Sequence, residues 1–398
     1  MEKFDIVVIG GGLAGLSTAL TIKKEVDSTL LLVERNKIGD PSKTSPFTFP
    51  DIIQKFNLSD AVLQQYKRFT YKSPTGVTAS FQYENPAFVT IDYQEACNII
   101  LNQIRKYSNV KILERTSAVD LEVTKASSKL TLSNSTSVSG SIMVDASGSS
   151  FFIPRKLGVK LPALYSHSYG EFLEGCTIED PEEMCIFAGN KFGNGGGWMY
   201  PIDSKITRFG FATVTDSTVF PKDIVKRNFG QAVKEFYPYN KMLANAKCQR
   251  SEFGTIPIGP LKKFVYDSIL IVGDAAGQAT PWYNEGIRSA LENGQLCGTV
   301  IAEVYKKGIL NKALLGKYQQ FWDAKNRDLY HRTTLDRLNV YYRTQEQWDN
   351  SVKLQASFAS DEMLAIIRYG KWPTFRLKSP TAMFKSVIRK ICDKMKVA

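Results

Sequence analysis

The feature that most constrains this chain is Gly10-Gly11-Gly12-Leu13-Ala14-Gly15, a GxGxxG placed directly after the apolar run at residues 4–9. An amphipathic helix is expected from about Leu13 to Glu25. A second apolar strand, Leu30 to Val33, follows and ends at Glu34. Strand, glycine turn, helix and strand in this order make a parallel βαβ unit. Gly10 permits the tight turn, Gly12 lets the backbone approach a pyrophosphate, and Gly15 lets the helix pack on the strand. The helix N-terminus then offers unpaired N–H groups to an anion. Glu34 lies 19 residues past Gly15, where a carboxylate accepts both hydroxyls of a ribose. With strand, helix and acid all in place, the stretch reads as a dinucleotide site rather than a glycine-rich structural turn.

Far downstream, Val272-Gly273-Asp274-Ala275-Ala276-Gly277 closes another apolar strand. It resembles the second fingerprint of FAD-binding two-dinucleotide-fold flavoproteins, and an NAD dehydrogenase would not require it. Asp274, at the strand's carboxyl end, suits a ribityl hydroxyl. A helix beginning near Gly286-Ile287 would turn its N–H groups toward the flavin N1/O2 edge and stabilise negative charge there. The expected cofactor is FAD.

Composition sets the class around these motifs. The chain has 398 residues, 43% hydrophobic and 23% charged, ample for a sizeable core and unlike a disordered or fibrous sequence. No apolar run is long enough to span a bilayer, and the first residues do not form a secretory leader. The six cysteines have no ligand spacing, so neither a zinc site nor a disulfide framework is expected, and reduced thiols suggest a cytoplasmic setting. The formal charge of +12 is concentrated at the end: residues 371–398 carry eight Lys or Arg against one acid, Asp393. Met383, Phe384, Val387, Ile388, Ile391, Cys392 and Met395 recur there at helical spacing. A basic amphipathic helix over 381–398 either lies on an anionic membrane surface or docks on the protein with a solvated basic face. No nucleic-acid-binding motif accompanies the charge.

The expected fold class is α/β: an FAD-binding two-dinucleotide-fold (Rossmann-like) domain with an inserted β-sheet substrate domain and a helical C-terminal segment. The FAD domain is discontinuous, residues 1–158 plus 263–310. Residues 159–262 form the β-rich substrate domain, and 311–398 a helical region ending in the basic tail. Residues 35–90 read as irregular, and a helix is expected over about 93–107.

Taken together, the motifs resemble the FAD-dependent geranylgeranyl reductases of the p-hydroxybenzoate-hydroxylase-like superfamily, over about residues 1–310. Five places carry the resemblance. They are Gly10 to Glu34-Arg35; Ile38-Gly39-Asp40-Pro41, similar to VGxP; Ile91-Asp92-Tyr93-Gln94 with Ala118 on the next strand; Asp145-Ala146-Ser147-Gly148, near D-A-T-G; and Gly273 to Gly277 with Pro281 and Glu285-Gly286-Ile287. The block Gly196-Gly197-Trp198-Met199-Tyr200-Pro201, then Gly210-Phe211-Ala212, resembles the family's Y-x-W-x-F-P-x7–8-G-x-G. It departs from it at Gly196 and Ala212. Thr44-Ser45-Pro46-Phe47 stands where members often carry Cys-Gly, and Gln94 where they usually carry Arg.

The resemblance implies FAD contacts at Gly10, Gly12, Ala14, Gly15, Glu34, Arg35, Thr44, Ser45, Gln94, Ala118, Gly273, Asp274, Gly286 and Ile287. It implies a prenyl cavity walled by Trp198 and Tyr200. Alternate positions on a strand put those two rings on one face, which equally suits ordinary core aromatics. The implied activity is reduction of isoprenoid C=C bonds on a membrane lipid or prenyl precursor, with NADPH or a ferredoxin-like protein as electron donor. An FAD monooxygenase of an aromatic or apolar molecule and a redox-neutral, lycopene-cyclase-like enzyme are the alternatives. A flavin-binding electron carrier would not need the second sheet. Hydride transfer to an unactivated alkene also calls for a proton source. His167 and His331 lie outside every motif and read as structural. Glu285 is the candidate acid, against the alternative that it complements a helix dipole.

Overall fold

The computed structural model describes residues 1–40, 47–73, 75–123, 128–280, 283–308, 312–340 and 343–371. Thr44, Ser45, Pro281 and the basic tail at 381–398 lie outside the described residues.

The glycine turn sits at the carboxyl end of the central strand of an eight-stranded sheet. The strand Glu2–Ile9 pairs in parallel with Leu30–Val33 on one side and with Ser137–Asp145 on the other. Val110–Leu113 extends the sheet beyond Leu30–Val33, and Ile269–Ile271 extends it beyond Ser137–Asp145, both in parallel. Parallel strands covered on both faces must be apolar throughout, and Ile6, Val7, Val8, Leu30, Leu31 and Leu32 are all fully buried. The order reverses direction at Glu2–Ile9, and in open parallel sheets ligands bind at the carboxyl ends beside such a switch point.

The two helices expected to carry the motifs, Leu13–Glu25 and Ile287–Lys306, pack against each other. Small residues make the approach close. A Cβ at Gly294 would lie 2.5 Å from the Ala14 carbonyl oxygen, and one at Gly298 would lie 2.7 Å from Thr21 Cβ. The Ser17 hydroxyl donates to the Leu291 carbonyl at 2.8 Å across the seam. Both helix N-termini are thereby held side by side at the same end of the sheet.

A second, seven-stranded sheet stands over that end. Four of its strands, Leu164–Glu174, Gly197–Pro201, Ile206–Thr215 and Lys247–Ile258, are antiparallel, as expected for residues 159–262. The sheet also takes Arg68–Lys72 and Thr78–Gln82 from the segment assigned to the FAD domain. Arg68–Lys72 runs parallel to Glu183–Phe187. The boundary drawn at residue 158 is corrected accordingly, because strand pairing over so long a separation leaves no local signal. Residues 35–90 are also more regular than expected: Phe47–Thr48, Val62–Tyr66 and Phe88–Ile91 form a three-stranded sheet. Helices Lys317–Val340, Gln345–Gln355 and Ser360–Tyr369 complete the C-terminal segment. Among the described residues no helix is long and apolar enough to cross a membrane, and no cluster of residues could hold a metal ion.

Candidate functional site

Where the two helix N-termini meet the sheet, a cleft of about 390 Å³ opens. Gly10 takes φ +110°, a region closed to L side chains, and a Cβ there would strike the Ala146 carbonyl. A Cβ at Gly15 would strike the Gly10 carbonyl. The turn is therefore flush with its surroundings, and its Gly10 N–H donates to the Val33 carbonyl at 2.8 Å. Glu34 steadies it: one carboxylate oxygen accepts from Gly11 N–H at 2.7 Å, the other from Asn36 N–H at 2.8 Å. Each oxygen keeps a further lone pair for a ribose hydroxyl. Asp145 shapes the opposite wall. Its carboxylate is fully buried and accepts from Ser147 N–H at 2.8 Å and Ile153 N–H at 2.7 Å, folding residues 147–150 along the cleft. Burial pushes its pKa up, and the two N–H donors pull it back.

Most residues expected to touch FAD line this cleft: Gly10, Gly12, Ala14, Glu34, Arg35, Ala118, Asp274, Gly286 and Ile287. Gly15 and Gly273 lie behind it as packing residues, Gly273 directly under Ala14. Gln94 does not line the cleft, and its backbone carbonyl abuts Gly39. Tyr93 lines it instead, from the first position of the helix Tyr93–Ile104, which Asp92 caps by accepting from Glu95 N–H at 3.1 Å. Arg35 reaches across the rim to donate to Ser150 Oγ at 3.1 Å. Sequence reasoning missed Tyr93, Thr116 and the strand segment 254–256. The cleft fits FAD in kind: two helix N-termini and a glycine cradle for the pyrophosphate, with a carboxylate toward either end. A pocket for a single nucleotide would need only one of these.

A second cavity of about 90 Å³ adjoins the first, and Ile256 and Asn284 line both. Trp198 and Tyr200 line it together, their rings 6.3 Å apart and 23° from parallel. Gly210 on the neighbouring strand makes room for the Trp198 indole, since a Cβ there would collide with it. Burial pushes the Tyr200 hydroxyl pKa up, so the ring stays neutral. Ile186 and Phe187 add apolar wall.

One wall is charged, which sequence reasoning did not anticipate. Arg208 and Glu252 are buried and paired, Nη2 donating to both carboxylate oxygens at 2.8 and 3.0 Å. A further wall is the helix Gln345–Gln355, through Trp348, Ser351 and Gln355, with Arg343 just before it and Tyr283 and Asn284 from the turn ahead of helix Ile287–Lys306. It belongs to neither sheet and is tied by side chains: Trp348 Nε1 donates to Asn190 Oδ1 at 3.0 Å, and Thr75 Oγ1 donates to Asp349 at 2.7 Å.

Glu285 lines neither cavity. Its carboxylate accepts from Arg288 N–H at 2.6 Å and pairs with the Arg288 guanidinium at 3.3 Å, at the start of helix Ile287–Lys306. Burial raises its pKa against the pull of Arg288. The geometry is that of a helix N-terminal carboxylate, which withdraws it as a proton donor. His167 is also structural. Nε2 donates to the Ser217 carbonyl at 2.9 Å, so Nδ1 accepts from Thr255 Oγ1 at 3.0 Å. Burial lowers its pKa. His331 is exposed on helix Lys317–Val340.

Residues 5–154 match the family model described as FAD dependent oxidoreductase. Curated relatives include digeranylgeranylglycerophospholipid reductase 1 of Methanococcoides burtonii, 24% identical over 81% of this chain and 80% of that protein. Digeranylgeranylglycerophospholipid reductase 2 of Methanothermobacter thermautotrophicus is 26% identical over 84% and 89%. Among solved structures, a geranylgeranyl bacteriochlorophyll reductase-like protein from Thermoplasma acidophilum superposes with a TM-score of 0.81. It is 15% identical and covers 93% of this chain and 98% of that one. The p-nitrophenol 4-monooxygenase of Pseudomonas putida superposes with a TM-score of 0.72 at 15% identity, over 92% and 98%.

Fold, cleft and family match together define an FAD-dependent oxidoreductase. Within that class the chain is similar over most of its length to the digeranylgeranylglycerophospholipid reductases, at 24% and 26% identity.

Proposed function

We propose that this protein reduces carbon–carbon double bonds of an isoprenoid chain carried on a membrane lipid or a prenyl precursor. The observation that carries the reading is the aromatic pocket set against the cofactor cleft, with Ile256 and Asn284 common to both. The names of the curated relatives support the same substrate class. FAD, when bound, supplies the hydride chemistry. Gly10, Gly12, Ala14, Glu34, Arg35, Ala118, Asp274, Gly286 and Ile287 hold it. Trp198, Tyr200 and Ile186 exclude water and lay an unsaturated chain against flat apolar faces. The Arg208–Glu252 pair neutralises itself, and Arg343 is the further charged residue of the lining.

Size adds a requirement. An apolar cavity of about 150 Å³ takes up one benzene, and this pocket measures about 90 Å³. A prenyl segment therefore needs a wall to yield, and helix Gln345–Gln355 is one wall outside the sheets, together with Tyr283, Asn284 and Arg343. Movement of that helix accompanies substrate binding in this reading.

The test is anaerobic. Holoenzyme is reduced with dithionite and mixed with a geranylgeranyl lipid, while flavin absorbance and product mass are followed. Reoxidation with a product heavier by one H2 per turnover is the expected result. Flavin that stays reduced until oxygen enters would refute it. It would favour the second reading, a monooxygenase, which the shared fold with p-nitrophenol 4-monooxygenase supports.

A further inference from the structure

Ile256 and Asn284 both border the two cavities, but they are held differently. Ile256 sits on the strand Lys247–Ile258, its register fixed opposite Ser166. Asn284 occupies the turn before helix Ile287–Lys306 with φ +54°. That left-handed region is costly for most L residues and best tolerated, after Gly, by Asn and Asp. Among the described residues, Asn284 is the one non-glycine residue with positive φ that lines either cavity.

Its neighbours lock the conformation. Glu285 N–H donates to Thr280 Oγ1 at 3.0 Å, Thr280 N–H donates to the Glu285 carbonyl at 3.1 Å, and Arg288 N–H donates to the Glu285 carboxylate. The Asn284 amide nitrogen then donates to Ser166 Oγ at 3.1 Å, and Ser166 is fully buried in the second sheet. The side chain thus spans from the cofactor-side turn to the second sheet along the line where the cavities meet. A non-glycine residue held in the left-handed region by its surroundings at such a boundary is a candidate for function.

We propose that Asn284 is a positioning residue that sets the aperture between the two cavities and so selects which part of an apolar chain reaches the cofactor cleft. The inference rests on the isoprenoid reading above. Asn284→Gly keeps the turn and removes the side chain; Asn284→Asp keeps both turn and width. FAD-loaded wild type and both variants are titrated with prenyl alcohols from isoprenol to geranylgeraniol, following the FAD absorption envelope. The pattern of saturated bonds after turnover is then read by mass spectrometry, and FAD affinity is measured separately.

The expected result is unchanged FAD affinity in N284G, with its preference among chain lengths flattened by about tenfold. Its saturation pattern should also be mixed, whereas N284D keeps the wild-type profile. An N284G variant with the wild-type profile overturns the aperture and leaves the substrate reading standing. Loss of FAD from N284G assigns the residue to turn stability and overturns the aperture too. Wild type that responds to none of the alcohols overturns the substrate reading and this inference together.

Discussion

The pocket's charged wall makes a quantitative test of how dry the pocket is. The Arg208 and Glu252 side chains are 2% and 4% exposed and share two short hydrogen bonds, with a third from Arg208 Nε at 3.2 Å. Removing one member of a buried pair strands the other charge and costs about 3–5 kcal/mol. The two halves are not equivalent. Without Arg208, Glu252 still has Arg250 Nη2 at 3.4 Å, on a partly exposed side chain. Without Glu252, Arg208 keeps the Ile91 carbonyl at 3.4 Å and the face of the Phe172 ring at 5.5 Å, neither of them an anion. Glu252→Leu should therefore cost near 5 kcal/mol and Arg208→Met nearer 3, by the same estimate. The double variant replaces the pair by apolar groups of similar volume and should fall within about 2 kcal/mol of wild type, since such exchanges are often neutral. The assay is urea unfolding of all four proteins with FAD at saturation, followed by circular dichroism and flavin fluorescence. A coupling of several kcal/mol is expected from the cycle. Single variants that each lose under about 1 kcal/mol, additively, would show a pair solvated like one on the surface. The dry pocket would then be refuted.

Other consequences are simpler. Gly15→Ala forces a methyl group into the Gly10 carbonyl; overpacking of this kind costs about 1–3 kcal/mol. FAD should then bind roughly ten- to hundredfold more weakly by fluorescence titration. Gly294→Ala wedges apart the helices Leu13–Glu25 and Ile287–Lys306, with 2.5 Å between the new Cβ and the Ala14 carbonyl. The melting temperature and FAD affinity should fall together, and a drop in one alone would separate the helix seam from the cofactor site. His167 has a pKa lowered by burial, so the unfolded chain binds its proton first as pH falls. Its contribution to stability is complete above the unfolded value near 6.5 and is lost as pH drops toward the lower folded value. His167→Asn should flatten the loss of melting temperature between pH 7 and pH 5, and an unchanged slope would exclude this origin. Asn190→Ala frees Trp348 Nε1 from its bond to the second sheet. It should speed both association and release of a prenyl alcohol in stopped flow while leaving FAD affinity unchanged.

Backbone chemistry was legible in the sequence and side-chain geography was not. The cofactor cleft is built from what a few consecutive residues must do: turn at Gly10, approach at Gly12, start a helix at Leu13, present a carboxylate at Glu34. Each demand selects a residue type at a fixed offset, so the motif records the site. Gln94 shows the limit of that reading. The helix starts where expected, at residue 93, but it is Tyr93, one residue before Gln94, that faces the cleft. The alternation in Thr78–Gln82, with Ala79 and Phe81 buried, was a strand signal in a stretch read as irregular. Nothing in it names the sheet it joins.

The second pocket has no motif of comparable force because no single segment makes it. Tyr71, Ile186, Trp198, Arg208, Glu252 and Trp348 come from strands and a helix that meet only after both sheets have assembled. Arg208 and Glu252 illustrate the difficulty. Apart in the chain they read as two surface charges, and only the antiparallel pairing of their strands with Leu164–Glu174 turns them inward as one neutral unit. The same physics orders the two levels of function. A cofactor shared by many enzymes is held by backbone groups, whose geometry tolerates little variation. A substrate is held by side chains that can change singly without unfolding the sheet. The redox class of this protein is therefore written in its glycines, and the proposed function places its substrate range in the walls around Asn284 and the Arg208–Glu252 pair. Substitutions in those walls should move chain preference while the flavin spectrum stays fixed, and substitutions in the glycine turn should do the reverse.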